Sequence, residues 1–432
     1  MKAKILPGPL KGSLTILPSK SHLHRLLIAA ALADKETHIQ SAPTEAEDVK
    51  ATIACLTALG ATIRPHEGCR PQAAGWSVTP IDRTQLPTHA ILPCQESGST
   101  FRFLLPLVCA LGVSGEFHMA GRLPERPLAP LDEELIRQGI TLTRPEPDIL
   151  CTEGQLQAGD FFLPGNISSQ YITGLLLALP LLTDSSSLTI GGKVESADYI
   201  RMTLDVLKCF DQSPAIDRAR YHITGGGTYK TPGTVTAEGD WSNAAFWLSA
   251  GAMPGGKVEV HGLNKASSQG DRGILDLLTQ IGAEVAWAED VVTISEGTRS
   301  AVEIDAAAIP DLIPVLSAVA AVSKGRTIIK NAARLRLKES DRLTSTREVL
   351  NALGARISSI PSGLQIDGIP HLNGSTVDAW GDHRIAMTAA IAATACKNPV
   401  TITGADTVKK SYPHFWQDLA ALGKEVHLIE AL

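Results

Sequence analysis

The sequence predicts an α/β protein of two domains, each built from three copies of a strand–helix–strand–helix–strands unit whose apolar helices lie inside a shell of sheet. Three observations carry this. A strand-like run recurs six times at near-constant spacing, a glycine follows a helical pattern in five of the same copies, and several Ala/Leu-rich helical segments are too uniformly apolar for a surface. At 432 residues the chain also exceeds what one hydrophobic core usually supports.

The recurring run stands at Thr37-His38-Ile39, Phe117-His118-Met119, Leu188-Thr189-Ile190, Lys257-Val258-Glu259-Val260, Thr327-Ile328-Ile329 and Val400-Thr401-Ile402, each before a small-residue break. With Ile39, Met119, Ile190, Val260, Ile329 and Ile402 as anchors, the differences are 80, 71, 70, 69 and 73. The helix-ending glycines are Gly60, Gly139, Gly282, Gly354 and Gly423, because glycine supplies a left-handed cap at no steric cost; the third copy has Phe210 there, after the helical pattern of Ile200 to Cys209. Apolar helices are expected at Arg25 to Ala33, Phe101 to Leu111, Gln170 to Leu182, Ala244 to Ala252, Leu312 to Val322 and Ile385 to Ala395. Val49 to Leu59 and Thr346 to Leu353 show the one-sided stripe of outer helices. Six units divide into three and three. The first begins near Lys20 and the fourth near Asp240, so the leading segment joins the second half, giving domains of 1–18 with 239–432 and of 19–238, with two crossings between them.

Composition excludes several classes. With 39 Lys and Arg against 45 Asp and Glu the net charge is −6, which argues against a nucleic-acid or anionic-membrane partner held by bulk charge. The longest apolar run, Leu175 to Leu182, is interrupted by Pro180 and falls far short of the roughly 20 residues a bilayer demands. Met1 to Thr15 has no apolar stretch fit for export, so a soluble protein that starts near Met1 is expected. Cys55, Cys69, Cys94, Cys109, Cys151, Cys209 and Cys396 are odd in number and form no Cys-x-x-Cys pair, which predicts a reducing cytoplasm, no structural zinc and inert buried thiols. His22-x-His24 reads as a helix face, not a metal site.

Lysine and arginine recur where helices begin, although a helix N-terminus carries partial positive charge. Lys20 and Arg25 follow Ser19; Arg102 follows Ser97-Gly98-Ser99-Thr100; Arg384 follows Asp382-His383; Arg336, Lys338 and Arg342 lead into another helix; Lys409-Lys410-Ser411 precede Pro413, a favoured first helical residue. Gly165-Asn166-Ile167-Ser168-Ser169-Gln170 offers hydroxyls and amides without a cation. Each misplaced cation costs about 0.3–1 kcal/mol, and a bound anion removes the cost. Several such starts in a near-neutral protein point to a substrate with several anionic groups.

The residues that carry these starts also carry a resemblance over the whole chain. Pro18-Ser19-Lys20-Ser21 with Arg25, Ser97 through Arg102, Arg122 through Pro127, Ser168-Ser169-Gln170, Pro310-Asp311, Arg336 through Leu343, Asp382-His383-Arg384 and Lys410 through Pro413 together resemble the 5-enolpyruvylshikimate-3-phosphate synthases, an enolpyruvyl transferase family. The resemblance implies a two-domain inside-out α/β barrel with three βαβαββ repeats per domain. It implies transfer of the enolpyruvyl group of phosphoenolpyruvate to the 5-hydroxyl of shikimate 3-phosphate, in aromatic amino-acid biosynthesis, with release of phosphate, no metal and no organic cofactor. Carried over by position, Lys20, Ser21, Arg25, Ser168, Ser169, Gln170, Ser196, Asp311 and Lys338 would bind shikimate 3-phosphate. Lys20, Gly98, Arg122, Gln170, Arg342, Arg384 and Lys410 would bind phosphoenolpyruvate. Glu339 would donate a proton to the methylene carbon, and Asp311, assisted by Lys20, would take the hydroxyl proton. The domain of 1–18 with 239–432 would be the phosphoenolpyruvate side, that of 19–238 the shikimate 3-phosphate side. A monomer is expected.

Two positions depart from the family pattern: many relatives have Asn where Glu96 stands and Thr where Ser99 stands. A carboxylate at Glu96 weakens an anion site unless it turns away or pairs with a base. Two alternatives remain. A related enolpyruvyl transferase acting on UDP-N-acetylglucosamine usually has a reactive Cys before the Arg122 region and Lys-Asn where this chain has Lys20-Ser21; Gly112 to Pro130 has no Cys. A non-enzymatic clamp or scaffold of repeated α/β units would carry a continuous basic stripe, whereas here Asp311, Glu339, Asp341 and Asp382 interrupt the bases.

Overall fold

The computed structural model describes residues 1–42, 44–66 and 74–430; Cys69 lies outside them. The chain divides into a continuous unit, Pro18–Ala237, and a discontinuous one, Met1–Leu17 with Glu238–Leu432. Each unit has its own hydrophobic core.

The second copy shows the repeat without interruption. His89–Gln95, helix Gly98–Leu111, Ser114–Met119, helix Leu131–Arg137, Thr141–Glu146 and Ile149–Glu153 follow one another. The sheet order is first, second, fourth, third; the first pair is parallel and the other pairs antiparallel. The third and fifth copies, opened by Asp160–Pro164 and Glu303–Asp305, repeat this order. All six anchor residues lie on the second strand and are buried, which is why they stay aliphatic or Met.

The other three copies borrow a strand. Thr234–Thr236 lies parallel to Thr37–Gln40 and opens the first sheet; Lys11–Thr15 lies parallel to Lys257–His261 and opens the fourth. Lys2–Ile5 sits between Val400–Thr403 and Val426–Ile429 in the sixth. The segments that join or end the units are thus tied into sheets by ladder hydrogen bonds.

The inner helices are Lys20–Ala31, Gly98–Leu111, Ser169–Ala178, Trp241–Ala252, Ile313–Ala321 and His383–Ala392, and nearly every residue in them is buried. The third stops at Ala178, short of the expected Leu182. Pro180 has no N–H to continue the ladder, and Leu179–Leu181 tightens into a 3₁₀ turn. Within Gly98–Leu111, Pro106 likewise leaves the Arg102 carbonyl without its helix donor. Gly174 of the neighbouring helix closes on that oxygen, where a side-chain carbon would lie 2.4 Å away.

The five helix-ending glycines have φ of 105°, 94°, 107°, 98° and 86°. In the third copy the left-handed residue is Asp211, with φ 60°, and not Phe210, whose φ is −105°. The expected position was one residue early, because Phe210 stands where Leu59 does in the first copy. The six described cysteines are free thiols. Burial pushes Cys109 and Cys396 up to about 12, so they stay protonated. Among the described residues no helix is long and apolar enough to cross a membrane.

Candidate active site

In the discontinuous unit the site is organised around Arg342. This is the first residue of helix Arg342–Ala352, capped by Asp341, whose carboxylate accepts from the N–H groups of Leu343 and Thr344. The guanidinium is 1% exposed. Its Nε donates to Asp382 Oδ2 at 2.8 Å, Nη1 to Asp311 Oδ1 at 2.7 Å, and Nη2 to Glu339 Oε2 at 2.7 Å and Asp382 Oδ1 at 3.2 Å. Asp382 is fixed in turn as the N-cap of His383–Ala392: it accepts from Arg384 N–H at 2.9 Å and from the Ser340 hydroxyl at 3.0 Å.

Asp311 lies in the 3₁₀ turn Pro310–Leu312 that leads into an inner helix, whose N-cap position is held by Leu312 and not by Asp311. The carboxylate instead meets three cations, with Lys338 Nζ at 3.3 Å and Arg384 Nη2 at 3.4 Å besides Arg342. Burial works to raise its pKa, but Arg384, Lys338 and Arg342 together hold it well below the ordinary carboxylate range, so it is ionised. Burial likewise lowers the pKa of Lys338, opposed by Asp311. For Arg342 burial is overcome by Asp382, Glu339 and Asp311, and the guanidinium is held more firmly charged than usual.

Asp311, Lys338, Glu339, Arg342 and Arg384 are therefore brought together as one cluster. Lys410 is placed differently from expectation. It ends the 3₁₀ helix Ala405–Lys410, where a cation suits the dipole, and the helix beyond begins at Phe415, two residues past Pro413. It is buried. Arg336 pairs with Asp341 at 2.9 Å.

In the continuous unit Lys20 opens its helix behind Ser19 and donates to Asp48 Oδ2 at 2.6 Å. Arg25 is buried one turn further on. It donates to the Ser21 carbonyl at 2.6 Å, Thr203 Oγ1 at 2.9 Å, the Tyr199 carbonyl at 3.1 Å and Thr173 Oγ1 at 3.3 Å, with its guanidinium 4.9 Å from the centre of the Phe103 ring. Ser168 caps Ser169–Ala178 through Gln170 N–H. Gln170 then joins two helix starts, accepting from Arg102 Nη1 at 2.9 Å and donating to Ser99 Oγ at 3.1 Å. Ser196, at φ 55°, precedes helix Ala197–Cys209.

Gly98 is the first residue of its helix, capped by Ser97. A side-chain carbon there would lie 2.8 Å from Nη1 of both Arg102 and Arg126, so the two guanidinium groups close on the bare backbone. Arg122 is 46% exposed and pairs loosely with Glu125 at 3.8 Å. Glu96 lies against the residue before it: a side-chain carbon on Gly121 would be 2.2 Å from Glu96 Oε1.

Sequence reasoning missed the acidic partners Asp48 and Asp382 and gave no role to Arg102 or Arg126, although it quoted both. Asp382 had a readable signal as a capping residue before His383; Asp48 had none, being 28 residues from Lys20. It also passed over Asp271, a buried carboxylate bonded to the Ser242 hydroxyl and raised by burial and by Asp311 to about 6.

The family model of EPSP synthase (3-phosphoshikimate 1-carboxyvinyltransferase) matches residues 6–419. The chain belongs to this family. A relative from Clostridium acetobutylicum, named 3-phosphoshikimate 1-carboxyvinyltransferase, is 42% identical over 98% of both chains. One of the same name from Clostridium kluyveri is 39% identical over 98% of this chain and 97% of its own. The solved structure of EPSP synthase from Acinetobacter baumannii superposes with a TM-score of 0.79 at 25% identity, over 99% of this chain and 100% of that one. Membership agrees with the resemblance carried by the helix-start motifs and with the βαβαββ repeat.

Proposed function

We propose that this chain transfers the enolpyruvyl group of phosphoenolpyruvate to the 5-hydroxyl of shikimate 3-phosphate and releases phosphate. One observation carries the assignment of roles: a single buried guanidinium, Arg342, holds Asp311 and Glu339 on its two terminal nitrogens, both at 2.7 Å. An ionised Asp311 is ready to accept the hydroxyl proton, with Lys20 assisting. Glu339 is ionised while it sits on Arg342. A substrate anion arriving at Arg342 competes with it, and a carboxylate released among anions takes up a proton. Glu339 can then deliver that proton to the methylene carbon, and the hydroxyl oxygen bonds to the cationic carbon; the tetrahedral intermediate expels phosphate as its new methyl group returns a proton to the Glu339 carboxylate, which restores the carbon–carbon double bond.

Within this reading Arg342, Arg384, Lys410, Arg122, Gln170, Lys20 and the Gly98 backbone hold phosphoenolpyruvate. Ser21, Arg25, Ser168, Ser169, Ser196 and Lys338 hold shikimate 3-phosphate, sharing Lys20, Gln170 and Asp311. Arginine suits anions because its fork gives two parallel bonds. Free thiols at the described cysteines support a reducing cytoplasm.

The test is release of inorganic phosphate from the pure protein with both substrates. Asp311→Asn and Lys20→Ala should each lower kcat by roughly 10²–10⁴. No phosphate from the unaltered chain, or equal release without shikimate 3-phosphate, refutes the assignment.

A further inference from the structure

The continuous unit contains a second buried polar system that none of these roles uses. His24, on inner helix Lys20–Ala31, meets Thr52 Oγ1 with Nδ1 at 2.7 Å. Thr52 Oγ1 lies 2.6 Å from Thr100 Oγ1, which lies 2.7 Å from Ser97 Oγ and 3.3 Å from the Asp48 carbonyl oxygen. His24, Thr52, Ser97 and Thr100 are all 0% exposed. Ser97 caps the helix that begins at Gly98, and Asp48 holds the Lys20 ammonium. The chain of hydroxyls thus runs from one histidine to two of the groups assigned to phosphoenolpyruvate.

Its direction follows from what the imidazole lacks. His24 Nε2 is buried with no hydrogen-bond partner. A buried N–H without an acceptor is more costly than a lone pair without a donor, so the proton sits on Nδ1 and is given to Thr52. Burial lowers the pKa to about 3, so the ring stays neutral at working pH. With its lone pair engaged by Nδ1–H, the Thr52 hydroxyl turns its proton on Thr100. Thr100 then turns its own on Ser97 or the Asp48 carbonyl. Ser97 Oγ also accepts from Thr100 N–H at 3.3 Å, which fixes the first turn.

We infer that His24 is a positioning residue for this reaction: as a neutral donor it orients the Thr52–Thr100 hydroxyls, which hold the Ser97 cap and Asp48, and so set the Gly98 backbone and the Lys20 ammonium for phosphoenolpyruvate. The inference rests on the function proposed above. Its larger effect falls on phosphoenolpyruvate, because the chain ends on Gly98, which serves that substrate alone, and touches shikimate 3-phosphate only through the shared Lys20 beside Asp48.

The experiment compares His24→Leu and Thr52→Val, which break the chain, with His24→Asn and Thr52→Ser, which keep a donor and a hydroxyl. Steady-state kinetics are taken for each substrate. Unaltered protein that fails to release phosphate sinks the proposed function and is recognised first. Given turnover, His24→Leu and Thr52→Val should raise KM for phosphoenolpyruvate roughly three- to tenfold, as one buried hydrogen bond dictates, with a smaller rise in KM for shikimate 3-phosphate through the shared Lys20. His24→Asn and Thr52→Ser should restore most of it. Equal rises in both KM values, no rise at all, or no rescue by the conservative variants overturns the inference. If His24→Leu does not fold, the Thr52 pair decides.

Discussion

Replacing Arg342 by Leu removes a cation that is 1% exposed and leaves Asp311, Glu339 and Asp382 without their shared partner. Removing one member of a buried ion pair costs about 3–5 kcal/mol, because the remaining charge is stranded in low dielectric. Against a domain stability of about 5–15 kcal/mol that is a large fraction. In a unit of this size it corresponds to a fall in Tm of roughly 6–20 °C. Tryptophan fluorescence during urea unfolding reports the right part of the molecule, since Trp241, Trp247, Trp287, Trp380 and Trp416 belong to the discontinuous unit and only Trp76 to the other. The pH dependence is diagnostic. In the unaltered protein Asp311 has a depressed pKa, so its contribution is present above the unfolded value near 3.9 and lost as pH falls through the folded one. In the Leu variant stranded carboxylates are relieved by protonation, so the deficit should shrink between pH 7 and pH 4. A deficit below about 1 kcal/mol at pH 7, the value of a surface pair, or one that grows on acidification, refutes the description of Arg342 as the buried counter-charge of the cluster.

Asp271 should behave oppositely to Asp311. Its folded pKa is raised to about 6, so the folded state holds the proton more tightly and stability falls as pH rises from about 4 to 6; Asp271→Asn should abolish that slope in urea titrations across the window. Gly174→Ala should cost about 1–3 kcal/mol by thermal unfolding, since its new carbon would lie 2.4 Å from the Arg102 carbonyl oxygen; an unchanged Tm would mean that the two inner helices separate freely. Asp211→Gly should stabilise the protein by about 0.5–1 kcal/mol by relieving φ 60°, because the ion pair it gives up with Lys230 is exposed on both sides; a loss of stability would show that pair to matter.

The repeat was legible because its signals are local. An aliphatic or Met anchor on a buried second strand recurs in all six copies and a glycine just past an outer helix in five of them, and neither depends on distant partners. The borrowed strands Lys2–Ile5, Lys11–Thr15 and Thr234–Thr236 were not legible, since pairing Thr234 with His38 is a choice made by the whole fold. The same distinction runs through the site. Ser19, Ser97, Ser168 and Asp382 as caps follow from sequence next to the helices they cap. The partners Asp48 for Lys20 and Asp382 for Arg342, 28 and 40 residues away, do not. Lys410 was misplaced because Pro413 reads as a helix start, whereas the chain runs on to Phe415 before the helix begins.

Cations at helix starts first suggested a multiply charged substrate, yet the protein supplies several of the counter-anions itself. Asp48 neutralises Lys20, Asp341 neutralises Arg336, and three carboxylates share Arg342. The number of such cations therefore does not count substrate charges. It identifies groups whose side chains are already oriented by internal anions. Under the proposed function, an incoming phosphate or carboxylate exchanges with one of those anions, and the cation reaches it without first losing a rotamer or a shell of water. Exchange also explains why an acid and a base can share one guanidinium. In that reading Lys338 and Arg384 each bridge Asp311 and the substrate anion they hold, so Asp311 keeps its charge when Arg342 turns to the substrate, while Glu339 gives up Arg342 and gains a proton; one binding event leaves the base charged and the acid loaded.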